Sequence, residues 1–195
     1  MRSILAIGIV VLAIPLTGVA QSFEPLDVND KLDYHIKQSL GPLAILGDAA
    51  YAGILQEADT PTEWGQGGSA YSRRLASTAA CSGIHSAMAF GLDSALHEDP
   101  RYFRAAAGGF WRRAEHAFRG TILTRTDHGT ETLSLWRLGS AYGAAYLSNQ
   151  WYPGRLNTLG LGFAEGSLQL GFDLASNLAS EFWPDLKRKV LRRKP

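Results

Sequence analysis

The chain has 195 residues, of which 46% are hydrophobic and 19% charged, and its formal net charge is +1. This composition excludes wholesale disorder and fits one domain with a core of its own. The charge is uneven, because six basic residues crowd positions 187–194 and leave the mature remainder with twelve basic and eighteen acidic residues. We therefore expect no nucleic-acid partner. The basic tail, residues 187–195, is either a solvated helix end or a contact to an acidic membrane surface or partner.

The first twenty residues have the pattern of a secretory signal peptide. Arg2 supplies a positive start, residues 4–16 are almost wholly apolar, and Gly18 and Ala20 place small residues before a cut at Gln21. We therefore predict export to the periplasm or cell envelope. The mature chain then consists of a helical domain, residues 21–186, and the basic tail.

Hydrophobic periodicity and turn residues predict a series of helices along the mature chain. Asp27 or Asn29 caps the first, Pro42 opens the second, and glycine-rich residues 63–68 form a loop before the longest helix. A turn at residues 126–129 separates two later helices. The predicted helices are residues 30–40, 42–56, 70–96, 110–123, 133–150 and 155–183.

The last of these segments also fits a β-hairpin. Leu159, Leu161 and Phe163 alternate with smaller residues, as do Leu168 and Leu170, and a turn-like stretch separates the two runs. Small residues in the same segment recur every third or fourth position, which favours a helix. We expect a helix here and keep a hairpin near residues 155–174 as the alternative.

Three of the predicted helices carry small residues at this spacing, which allows close helix contacts and is common in membrane helices. Charged residues lie inside the same segments (Asp93, Arg137, Glu165 and Asp173), and no mature stretch offers about 18 uncharged apolar residues. The sequence therefore predicts an all-α single domain of five or six helices with Gly/Ala-rich contacts. We expect it to be water-soluble or peripherally attached to a membrane.

Two polar segments supply candidate binding residues. The first is the run 97–104 at the end of the longest helix, and the second is the turn at 124–128. Arginine forks suit a carboxylate or a phosphate, and loops held by rigid helices often carry function. The alternative is a structural knot in which Asp99 or Glu98 pairs with an arginine. The candidates are Asp99, Arg101, Tyr102, Arg104, Arg125 and Asp127.

Histidines offer weaker candidates for chemistry. Asp93 and His97 are four residues apart on the longest helix, so they could share a metal ion or form a surface hydrogen bond. His85 lies about 18 Å from His97 along the axis, too far to join that pair. The lone cysteine, Cys81, excludes an intramolecular disulfide and is expected to be a small buried residue. We predict no cofactor, since no phosphate-binding loop, nucleophile elbow or Cys-x-x-Cys motif occurs.

Several short motifs together resemble a group of exported bacterial proteins. They are Glu63–Gly67, the EDPRYF run at 98–103, TRTD at 124–127, LSNxWYP at 147–153 and EFWPD at 181–185. The resemblance covers most of the mature chain. It implies export and a shared helical domain, and it implies no activity and no catalytic residue.

A second, degenerate resemblance is to the type-2 phosphatidic acid phosphatases. Ser82, Gly83 and His85 resemble that family's Pro-Ser-Gly-His motif, but Ile84 interrupts it and Cys81 stands where the proline should be. The region around residues 149–153 has Gln150 in place of the essential histidine, and the Lys/Arg-Pro motif is missing. The match is a coincidence or a relic.

Two classes of function follow from these observations. The first is a non-enzymatic, envelope-associated helical protein that packs against lipid, a protein partner or itself. The alternative is a hydrolase of a phosphate-containing envelope substrate, metal-dependent or based on His85 or His97, with arginines binding the phosphate.

Overall fold

A computed structural model describes residues 23–105 and 108–191, with side chains through residue 189. Within these ranges the chain forms six helices, a short two-stranded antiparallel sheet and two single 3-10 turns. The signal peptide and the last basic residues, Arg192, Arg193 and Lys194, lie outside the described residues. The elements are α1 Val28–Leu40, α2 Pro42–Glu57, α3 Gly68–Leu96, α4 Phe110–Ile122, β1 Leu123–Arg125, β2 Glu131–Leu133, α5 Leu135–Ser148 and α6 Leu159–Leu191.

The all-α fold with a minor hairpin is confirmed, but the alternative position of the hairpin is wrong. Residues 159–174 belong to α6, and the two strands instead flank the turn at 126–129. In α6 the small residues spaced three and four apart decide the conformation, because they let the helix pack closely on α5. The alternating leucines there are exposed or half-buried on the helix surface.

Local signals explain where the first helices begin and end. The Asp27 carboxylate accepts a hydrogen bond from the Asp30 amide at 2.8 Å, which caps α1. Gly41 is the C-cap residue of α1 and the N-cap residue of α2, and Pro42 occupies the first turn of α2. Near the C-terminus, Pro184 lies inside α6 and does not end the helix, which continues to Leu191.

The loop between α2 and α3 is held by one buried arginine. Arg74 is fully buried and donates to the carbonyl oxygens of Thr60 (2.8 Å), Pro61 (2.9 Å) and Gly65 (2.9 Å). Gly65 and Gly67 both have positive φ, as the tight loop requires. The glycine-rich segment is therefore a structural turn that leads into α3.

The long helix α3 packs against α5, α2 and α1, and α6 packs against α5 and α4. Glycines allow these contacts by leaving notches for large side chains. A Cβ added to Gly162 would meet the ring of Tyr146, and one added to Gly166 would meet Tyr142, each closer than 3.0 Å. The predicted small-residue helix contacts are thus present between α5 and α6.

The interior of the described residues is small and polar rather than large and apolar. The buried hydrophobic residues are seven alanines and Trp136. The largest fully buried side chains include Arg74, Lys31, Glu181, Asn149, Asp93 and Asp99. Charged residues are rarely buried unless they are paired, so the partners of these groups decide how the fold holds together.

Candidate functional site

The two polar segments predicted from sequence meet at one junction. The Asp99 amide donates to the Arg125 carbonyl oxygen at 2.7 Å, and the Asp127 amide donates to the His97 carbonyl oxygen at 2.8 Å. The Thr124 hydroxyl donates to the Asp99 carbonyl oxygen at 2.7 Å. The hairpin therefore holds the loop after α3 by backbone pairing, and we call residues 97–105 together with 123–133 the polar junction.

Asp99 and Arg101 form an ion pair inside this junction. Asp99 is fully buried, and its Oδ2 lies 2.6 Å from Arg101 Nη2 while its Oδ1 lies 3.0 Å from Arg101 Nε. The same guanidinium donates to the Glu24 carbonyl oxygen at 2.5 Å. The hydrogen bond to Asp99 raises the pKa of Arg101. This fork is occupied by the protein's own carboxylate, as the structural-knot interpretation expects.

Asp127 is engaged by a buried lysine that the sequence analysis did not single out. Lys31 Nζ lies 3.0 Å from Asp127 Oδ2 and 3.3 Å from the carbonyl oxygen of Asp93. Exposed His97 approaches the same Asp127 oxygen at 3.6 Å through Nδ1. The junction is thereby tied to α1, and Asp127 serves as its anchor.

The side chain of Tyr102 contacts α6. Its hydroxyl donates to Glu181 Oε1 at 2.6 Å, and the Ala105 amide donates to the same oxygen at 2.7 Å. Arg113 of α4 lies 3.3 Å from Glu181 Oε2 and also pairs with Asp185. Burial, together with the hydrogen bond to Glu181, raises the pKa of Tyr102 well above its ordinary value. Glu181 thus joins the junction, α4 and α6.

Arg125 and Arg104 differ from Arg101 in their surroundings. The Arg125 guanidinium lies over the rings of Phe103 and Phe23, at 4.8 and 5.8 Å from their centroids. Arg104 is exposed. Arg101 also lies over Phe103, at 5.3 Å from its centroid, but it differs from Arg125 in being paired with Asp99.

The proposed Asp93–His97 metal pair is separated by the end of the helix. His97 is in the left-handed conformation that terminates α3, and its side chain is mostly exposed. Asp93 is fully buried and lies 2.6 Å from His35 Nε2 of α1. Among the described residues, no group of three or more His, Cys, Asp or Glu side chains is placed to hold a metal ion.

His85 lies apart from the junction, in the contact between α3 and α5. Its Nε2 is 3.2 Å from the hydroxyl of fully buried Ser140. Burial lowers the pKa of His85, which favours the neutral ring. Cys81, half-buried, has its Sγ 3.1 Å from the Ser148 hydroxyl, and burial raises the pKa of the thiol. A thiol held protonated in this way is a poor nucleophile.

The outer faces of the helices carry the large apolar residues that the interior lacks. On α1, Val28, Leu32, Ile36 and Leu40 recur every four residues and are all exposed, whereas Lys31 and His35 are buried. We call these four residues the α1 stripe. The helix thus directs Lys31 and His35 inward, while its other charged residues, Asp30, Asp33 and Lys37, are exposed. A signal for this was present in the sequence, because Lys31 and His35 share the same four-residue spacing on another face.

A shallow cleft opens elsewhere, between Trp64 and Trp151. It measures about 390 Å³ and is floored by Ala76 and Ala80 of α3. Trp64 stacks on Tyr152, and Trp151 donates to the Ser77 hydroxyl at 2.9 Å. The cleft does not adjoin any of the residues that the sequence singled out as binding candidates.

Comparisons with protein-family models, curated proteins and solved structures give no match for this chain. Within the described ranges, none of the helices combines the length and the apolar character that crossing a bilayer requires.

Proposed function

We propose that the protein is a non-enzymatic, exported helical module of the cell envelope that associates with a hydrophobic surface. The single observation that carries this proposal is the inverted distribution of side chains. Alanines, Trp136 and paired charged residues are prominent among the buried residues, and large apolar residues are exposed on α1, α2, α4 and α6, while others are half-buried. Surfaces of this kind mark sites of contact with another protein or with lipid.

The packing of the helices supports this proposal. Small residues at helix contacts allow backbones to approach closely without large apolar side chains between them. The apolar side chains that remain, such as Leu43, Ile45 and Leu46 on α2, are then available for an outside partner. The ionic side chains of the polar junction stabilise the fold, since their charges are directed at one another.

Two measurements on the wild-type protein test the proposal. In cells, the protein is expected in the envelope fraction, with an intact mass that corresponds to a chain beginning at Gln21. In detergent-free buffer, light scattering of the purified protein is expected to report association that mild detergent reverses. Recovery of a full-length cytosolic chain, or a detergent-independent monomer that binds no envelope component, would contradict it.

Turnover tests the absence of enzymatic activity separately. We expect no hydrolysis of a broad panel of phosphoesters by the purified mature protein, with or without divalent metal. Hydrolysis that is lost in both His85→Ala and His97→Ala, with circular dichroism unchanged, would instead establish the hydrolase alternative.

A further inference from the structure

One end of the fold, where α4 begins and α6 ends, combines exposed aromatic residues with exposed cations. Phe110 stacks on Phe182 with centroids 5.0 Å apart, and Trp111 lies against Phe110 at 5.2 Å. Trp111 is 81% exposed, the highest value among the large apolar side chains described. Trp183 and Leu186 are also exposed, one turn apart on α6. Because Trp111 is exposed, it does not contribute to the packing of the interior.

Exposed cations lie at this end of the fold, on both helices and on the loop before α4. Those exposed within the described residues are Arg104, Arg112, Lys187, Arg188 and Lys189. Three acidic residues lie on the same stretches of chain, Glu115, Glu181 and Asp185, and Arg113 contacts the last two. The hydrogen bond from Arg113 lowers the pKa of Asp185. The five exposed arginines and lysines outnumber these three acidic residues. The surface is therefore positive, although the rest of the mature chain is acidic.

Arg113 fixes the geometry of this end. Its guanidinium lies 4.5 Å from the Phe182 ring centroid and contacts both Glu181 and Asp185. Glu181 and Asp185 flank Pro184, so the same arginine holds α6 on both sides of the proline. The aromatic residues and the last basic turns of α6 are thus presented together by a rigid support.

We propose that this end, which we call the α4/α6 surface, docks peripherally on an anionic lipid bilayer. This inference rests on the proposed function and specifies its partner: the hydrophobic surface that the protein contacts here is a lipid bilayer. Tryptophan is enriched at the headgroup level of membranes, and clustered Lys and Arg are attracted to acidic lipids. Peripheral binding strengthens with the apolar area that enters the interface and with electrostatic attraction to anionic lipid, and the surface supplies both.

The test is binding of the purified mature protein, residues 21–195, to vesicles, measured by cosedimentation. The expected result is binding to vesicles that contain phosphatidylglycerol, weak binding to pure phosphatidylcholine, and release by high salt. Replacing Lys187, Arg188 and Lys189 together by glutamine is expected to weaken partitioning by on the order of a hundredfold. Equal binding to both kinds of vesicle, or an unchanged triple variant, would overturn the inference.

A matched pair of variants, one aromatic and one aliphatic, distinguishes binding through this surface from nonspecific hydrophobic binding. Trp111→Ser is expected to reduce binding to phosphatidylglycerol vesicles at least tenfold, whereas Leu159→Ser is expected to leave it unchanged. Leu159 is 80% exposed and begins α6 at the opposite end of that helix. Equal losses in the two variants would overturn the assignment to the α4/α6 surface. Thermal melts by circular dichroism confirm that each variant is folded.

The outcomes also separate this inference from the proposed function. Detergent-reversible association without vesicle binding would overturn lipid docking while leaving the association module in place. Binding of an acidic protein that Trp111→Ser abolishes, with no binding to vesicles, would assign the surface to a protein partner and overturn the lipid inference. A monomer that binds neither lipid nor protein would refute both.

Discussion

Buried charged residues are held in this protein by partners on distant elements. Lys31 of α1 is 96 residues from Asp127 in sequence, and Tyr102 is 79 residues from Glu181. Removing one member of such a pair leaves the other charge or polar group buried without compensation, which costs more than the pair contributes when intact. The polar junction is therefore expected to be sensitive to single truncations.

Lys31→Ala is expected to lower the free energy of unfolding by about 1–3 kcal/mol, because half-buried Asp127 loses its counter-charge. Lys37→Ala is the matched control on the same helix, since Lys37 is exposed and pairs with neighbouring, exposed Asp33. The control is expected to cost less than about 0.5 kcal/mol. Chemical denaturation measures both, and similar losses in the two variants would show that the Lys31 contact contributes little.

His85 gives the protein a defined dependence of stability on pH. Its pKa in the folded state is below the ordinary value of 6.5, mainly because burial disfavours the charged ring. As the pH falls below about 6.5, the unfolded chain takes up a proton that the folded state does not, so stability decreases with acidification.

His85→Gln is expected to remove this component. The amide can still bond to the Ser140 hydroxyl but does not titrate. Denaturation of the variant and the wild type between pH 7.5 and roughly pH 5 measures the difference. A stability loss of the same size in both proteins over that range would assign the effect to other groups.

At the residue scale, the sequence predicts side-chain partners that are close in the chain but not those that are distant. The pairing of Asp99 with Arg101 was foreseeable as one of the alternatives, because the two residues are neighbours in a short polar run. Lys31, His35 and Glu181 were not singled out. Their spacing placed them on helix faces, but nothing in a single sequence says which distant carboxylate or ring each face meets.

Helix contacts depend on where glycine stands, as the α5–α6 contact demonstrates. Gly166→Ala would drive a Cβ into the Tyr142 ring, whereas Gly171 on the same helix has nothing within 4 Å of the equivalent position. We expect Gly166→Ala to destabilise by about 1–3 kcal/mol through overpacking. We expect Gly171→Ala to stabilise by up to about 1 kcal/mol through helix propensity. Thermal unfolding measures both effects. Stabilisation by both substitutions would contradict the close contact between Gly166 and the Tyr142 ring.

At the element scale, the sequence identified the helices well because caps and breakers are local. Pro42 opens α2 and α3 ends at Leu96, both as predicted, although α3 begins two residues earlier than predicted. The strands at 123–125 and 131–133 were missed, since three residues are too few to show a period. The continuation of α6 through Pro184 was missed as well, because the contact of Arg113 with Glu181 and Asp185 is tertiary.

The whole molecule reverses the usual division between inside and outside. In most water-soluble domains the large aliphatic and aromatic side chains form the core, and charged ones face water. Among the described residues, alanines, Trp136 and paired charges are buried, other large apolar residues are half-buried, and the α1 stripe is exposed. Such a surface is compatible with stability only if the fold is held by close helix packing and internal ion pairs, and it leaves apolar area for a partner.

The α1 stripe provides the most direct test of this account. Sedimentation velocity in detergent-free buffer compares the wild type with the double variant Leu32→Ser/Ile36→Ser. We predict that the wild type sediments as an associated species, and that the variant shifts toward monomer while its unfolding free energy changes by less than about 1 kcal/mol. A wild type that sediments as a monomer, or a variant that unfolds because these residues form its core, would contradict the inverted arrangement.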